Sequence, residues 1–91
     1  MSKFVVSYDL RAPGRDYAEL YKAIKSAAWW AHPLESVWIV ACDLTAEQVF
    51  DRLHGHIDKN DGLMVLRLAD VGAGKWCGLA QNVSDAMATN L

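Results

Sequence analysis

Asp9 and Asp43 are the carboxylates with the clearest chemical potential, each standing at the end of a mostly apolar run that reads as a strand. If the two strands are parallel neighbours, those ends lie together. Paired carboxylates there can hold a divalent cation, Mg2+ or Mn2+, through oxygen ligands and water, the arrangement that assists phosphodiester hydrolysis. The structural alternatives are that Asp43 and Thr45 supply helix-start acceptors, and that Asp9 caps a turn or pairs with Arg11. Arg11, Gly14 and Arg15 share the loop after Asp9, ahead of a helix start whose free N–H groups attract anions. Arg11 and Arg15 are therefore the candidate phosphate or nucleic-acid contacts, although Asp16 and Glu19 occupy much of the same helix-start potential.

The remaining reactive side chains carry weaker signals. His54 and His56 are two apart near a helix end and project to different sides, a poor geometry for chelation. His32 has no evident catalytic partner. Trp29, Trp30, Trp38 and Trp76 offer rings that stack on bases or fill a core or interface. Cys42 and Cys77 lack metal-ligand spacing and are expected as thiols. No Gly-x-Gly-x-x-Gly, Walker loop, Cys-x-x-Cys or serine-nucleophile motif occurs, so no organic cofactor is implied.

The elements that must position these residues follow from periodicity. Phe4 to Leu10, β-branched and aromatic, reads as a central strand. Pro13-Gly14 breaks the chain, Asp16 and Glu19 resemble a capping box, and Tyr17, Leu20, Tyr21 and Ile24 form one helical face while Lys22 and Lys25 point away. From Trp30 the period becomes two, with Trp30, His32, Leu34, Ser36 and Trp38 of one parity. Pro33 divides this stretch into an edge strand around Ala28 to His32 and a strong strand from Ser36 to Cys42. Thr45 and Gln48 open a second helix, with Val49, Phe50, Leu53 and Ile57 on one face and Gly55 near its end. Asn60-Asp61-Gly62 is a turn and Leu63 to Leu68 a final strand. Gly72 and Gly74 make a connector, and Ser84-Asp85 opens a short terminal helix.

This order predicts an α+β, ferredoxin-like βαββαβ domain over residues 1–70, a four-stranded antiparallel-type sheet with two helices on one face, and a C-terminal extension over 71–91 that docks on the sheet or on a dimer mate. Right-handed crossovers are expected to set the first and third strands side by side and parallel, with the second and fourth at the edges. Both faces of the central strands are apolar, which predicts a homodimer packed sheet to sheet, with Trp30, Trp38 and Trp76 as interaction residues and the tail contributing. The alternative is that the tail alone covers the second face.

Ninety-one residues with 53% hydrophobic and 22% charged content form one domain. A net charge of −2 excludes binding to nucleic acid by bulk electrostatics, so any such contact comes from a local patch. No apolar stretch approaches the roughly 18 residues of a membrane span. Met1, Ser2 and Lys3 run into the first strand without a signal core, so the expected location is cytoplasmic.

Val5-Val6-Ser7-Tyr8-Asp9-Leu10, the Trp-rich hairpin ending Ser36-Val37-Trp38-Ile39-Val40, and Thr45-Ala46-Glu47-Gln48 together resemble the ferredoxin-fold superfamily of the small CRISPR-associated spacer-integration subunit and the virulence-associated protein D ribonucleases. The likeness covers roughly residues 3 to 69 and is nearest to small phage- and plasmid-borne proteins labelled SinR-like. It implies a homodimer in which Asp9 matches the aspartate given a metal-dependent nuclease role. The resulting expectation is a homodimeric nucleic-acid-associated protein of mobile-element type with weak metal-dependent endonuclease activity. The alternative is a non-catalytic binding protein for a protein or nucleotide-like ligand in phage-host conflict, which the tryptophan hairpin and the Trp76 tail favour.

Overall fold

The first strand, β1 (Ser2–Asp9), follows the period of two that its sequence predicts: Phe4, Val6 and Tyr8 are buried on one face while Asp9 is exposed. The computed structural model describes residues 1–12, 14, 16–69 and 74–91. After β1 come α1 (Ala18–Lys25), β2 (Trp29–Leu34), β3 (Val37–Cys42), α2 (Ala46–His54), β4 (Gly62–Leu68) and α3 (Gln81–Asn90). Thr45 and Gln48 form the expected reciprocal capping box on α2. The start of α1 differs. Asp16 accepts from the Ala18 N–H at 2.9 Å and Glu19 closes no box, so the helix begins one residue later than the sequence pattern suggests, with Tyr17 as its N-cap.

The four strands are ordered β2-β3-β1-β4 and every neighbouring pair is antiparallel. The first and third strands are thus central and adjacent, but not parallel as expected. The reason is the hairpin: α1 returns β2 parallel to β1, and the tight turn at Glu35 and Ser36 then reverses β3, which lies between them. The crossover rule governs the split pair β1 and β2 rather than the strands in contact. Pro33 does not end β2. That strand lies at the sheet edge, and a register shift between Ala31 and Leu34 absorbs the missing donor before pairing resumes at Leu34 and Val37.

Packing has two layers. On one face Phe4, Val6, Tyr8, Trp38 and Val40 meet Leu20 and Ile24 of α1 and Val49 and Leu53 of α2. On the reverse face Ala31 and Ile39 meet Met87 of α3, with Trp29, Trp76, Leu79 and Val83 around them. The C-terminal segment of the same chain therefore occupies part of the surface expected to bury a second chain, and α3 sits over β2. Trp76 is fixed there by its indole N–H, which donates to the Ser84 hydroxyl at 3.0 Å. Among the described residues another part of that face is open. Leu34, Met64 and Leu66, aligned with Val37, Ser7 and Val5, are 56%, 48% and 52% exposed.

Candidate functional site

The hairpin and α1 build a stack of rings at the edge of the helix-covered face. Trp38 is 2% exposed, so it belongs to the intramolecular core and cannot serve as a dimer contact. Its indole N–H donates to the Tyr8 hydroxyl at 3.0 Å, and that hydroxyl donates to the Glu35 carbonyl at 3.1 Å. Burial raises the Tyr8 pKa above its ordinary 10.0, against the opposing effect of the Trp38 hydrogen bond. Both interactions pin the indole in one orientation. His32 then lies flat against it, 3.7 Å between centroids and 8° between planes. Because a carbonyl only accepts, the 2.9 Å contact from His32 Nε2 to the Glu35 oxygen assigns the proton to Nε2.

Trp30 covers the outer edge of this stack, its ring 5.5 Å from that of Trp38 and tilted by 55°. It lies opposite Val40, on the helix-covered side, so it does not reach the reverse face where the expected dimer would form. At 40% exposure it presents a ring to solvent. The Lys25 ammonium stands 5.3 Å from the Trp30 centroid and 5.9 Å from that of Trp38, a cation held over aromatic faces. A shallow depression along α1, lined by Tyr21, Lys22, Lys25 and Ser26, continues from this point. The result is an exposed ring beside the exposed Lys25, backed by the buried Trp38, with Lys22 exposed along the same helix.

The residues expected to do chemistry are arranged otherwise. Asp9 pairs with Gly62 at one end of β1, whereas Asp43 follows Cys42, which pairs with Ser2 at the other. Seven residues at roughly 3.3 Å each separate them by about 23 Å. The two carboxylates cannot share a cation within one chain, because their expected convergence depended on a parallel pair. Asp43 is 86% exposed, 4.0 Å from the terminal ammonium. Asp9 accepts from Arg11 Nε at 3.0 Å and Nη2 at 2.9 Å, while Arg11 Nη1 donates to the Asn60 carbonyl at 3.0 Å. The Arg11 backbone N–H donates to Asp61 at 2.6 Å, and Asp61 also accepts from the Tyr17 hydroxyl at 2.7 Å. Arg11 is thereby a clip between the end of β1 and the turn before β4, with its planar donors directed at protein acceptors. Arg15 lies outside the described residues, as does Gly72. No group of three or more His, Cys, Asp or Glu side chains among the described residues could hold a metal ion.

Sequence reasoning missed Lys22, Lys25 and His32 as members of a site. Lys22 and Lys25 read as solvated positions because they face away from the core stripe. Only the reversal from α1 into β2 brings Lys25 over Trp30, five residues on. A basic residue in the last turn of a helix just before an aromatic edge strand was the available signal. No helix among the described residues is long and apolar enough to cross a membrane. Compared with family models, curated proteins and solved structures, the chain matches none.

Proposed function

We propose that this chain is a ferredoxin-like, nucleic-acid-associated binding protein of mobile-element type that takes a nucleotide or short single strand, one base on Trp30 and the adjoining phosphate at Lys22 and Lys25. The observation that carries the reading is the half-exposed Trp30 ring, backed by the buried Trp38 and overhung by the Lys25 ammonium. Stacking on an exposed ring contributes about 1–3 kcal/mol per base and tolerates any base, while nearby cations hold the backbone. Such a local patch suits a chain of net charge −2, which lacks bulk attraction for phosphate. The reading is of binding without catalysis, since Asp9 already serves Arg11 and Asp43 stands at the far end of the sheet.

The test is fluorescence anisotropy with a labelled single-stranded octanucleotide. Two phosphates neutralised on a single strand give a log–log salt slope of about −1.4. Trp30→Ala should weaken binding by about 5-fold to 150-fold at constant slope, and Lys25→Gln should flatten the slope. Binding untouched by either substitution removes the proposal.

A second reading is favoured by the open apolar strip of Leu34, Met64 and Leu66. It lies on the sheet face toward which the side-chain parity of Asp9 points. Two copies joined there would form the homodimer and bring two Asp9 carboxylates toward one another, a setting for Mg2+ or Mn2+ once Arg11 releases them. Light scattering combined with a nuclease assay with and without these ions tests it: a dimer whose cleavage is abolished by Asp9→Ala supports it, and a monomer or a metal-independent null removes it.

A further inference from the structure

Between α1, α2 and the sheet lies a cavity of about 180 Å3. Val6, Ile24, Val40, Val49 and Leu53, all buried, form its walls. Ser26, Ala28 and Arg52, its exposed lining residues, mark its open side, and Ala27 and Cys42 are half-buried in the same lining. An apolar hole of about 150 Å3 in a protein core admits a benzene ring and stays dry without one. This one has room for a single ring or a short branched chain. Its opening is distinguished by charge. Arg52 has no acidic or carbonyl partner among the described residues, and Asp43, the acid that follows Cys42, is turned to the terminal ammonium.

We propose that this cavity binds a small apolar monocarboxylate of about one-ring size. The hydrocarbon part fills the space against Val40, Val49 and Leu53, and the carboxylate meets the Arg52 guanidinium, which matches its two oxygens with paired donors. A neutral hydrocarbon would leave Arg52 unused, and a dianion would bring a second charge to an apolar wall. The site is independent of Trp30, whose ring does not line it.

The probe is benzoate, titrated into the full chain carrying Cys77→Ser and followed by methyl NMR and by the rate of thiol labelling. The Val49 and Leu53 methyls should shift saturably and labelling of Cys42 should slow. Arg52→Gln should weaken benzoate by about tenfold or more while benzyl alcohol keeps its affinity. Ala27→Leu, which narrows the opening, should weaken both, and its ligand-free methyl spectrum reports whether the fold is kept. The proposal is overturned if roughly 10 mM benzoate leaves these methyls in place. It is equally overturned if Arg52→Gln weakens benzyl alcohol as much as benzoate, or if the shifts fall on Trp30 instead.

Discussion

Tyr8→Phe removes one oxygen and tests how the aromatic stack is held. The Tyr8 hydroxyl accepts from the Trp38 indole N–H at 3.0 Å, and Trp38 is almost wholly buried. Without that oxygen the N–H loses its acceptor in a place water does not reach, which costs about 1–3 kcal/mol. The other bond, to the Glu35 carbonyl in the exposed hairpin turn, is replaced by water and adds little. An expected loss of about 2 kcal/mol can be converted to temperature. At about 2.1 cal/mol/K per residue, 91 residues give an unfolding entropy near 0.19 kcal/mol/K. The midpoint should therefore fall by about 10 °C, read by calorimetry or by near-ultraviolet circular dichroism. Trp38→Phe made in the Tyr8→Phe background should cost about 1 kcal/mol less than in the parent, because the orphaned donor has gone. A shift under about 3 °C, or strict additivity of the two substitutions, would refute the claim that this hydroxyl pins the indole.

The same hydroxyl sets a pH dependence: burial raises its pKa above 10.0, so the unfolded chain loses that proton first. Its stabilising contribution is complete below pH 10.0 and is lost as pH rises through the higher folded value, and Tyr8→Phe should flatten this alkaline limb in urea titrations. Met87→Ala, at the centre of the contact between α3 and the sheet, should destabilise by about 2 kcal/mol or more and raise Trp76 emission at longer wavelength; an unchanged midpoint would mean that α3 does not dock. Arg11→Ala should cost under about 1 kcal/mol, as exposed ion pairs do, and leave the salt slope of oligonucleotide binding unchanged; a flattened slope would restore Arg11 as a phosphate contact. If two copies join through the open strip, as in the second reading, Leu66→Lys should convert the dimer to a monomer by light scattering and make the midpoint independent of protein concentration, and a mass insensitive to it would remove the sheet-to-sheet contact.

Much of the fold was legible because local rules and tertiary packing agree. The alternation of Phe4, Val6 and Tyr8, the capping box of Thr45 and Gln48, and the stripe of Leu20 and Ile24 each mark an element that forms where its pattern stands. Strand direction was less legible, since adjacency and orientation depend on how a crossover and a hairpin combine. The site suffered for it: Asp9 and Asp43 belong together only if β1 and β3 run the same way. Trp30 and Trp38 share a parity visible in the sequence, but no pattern says which face of the sheet that parity meets. The helix stripe takes Trp38 into the core, and Lys25 comes to Trp30 through a turn whose geometry no motif announces. Trp76 illustrates a third case, an apolar anchor whose destination, its own sheet or a partner's, no local pattern announces.

Indole N–H resonances give the most direct test of the central claim, since each of the tryptophans Trp29, Trp30, Trp38 and Trp76 contributes one signal to a nitrogen-correlated spectrum. Titration with a single-stranded octanucleotide should move the Trp30 signal saturably, leave Trp76 in place, and lose its effect in Trp30→Ala. Movement of Trp76 with Trp30 unmoved, or saturable binding that moves none of the indoles, would contradict the account.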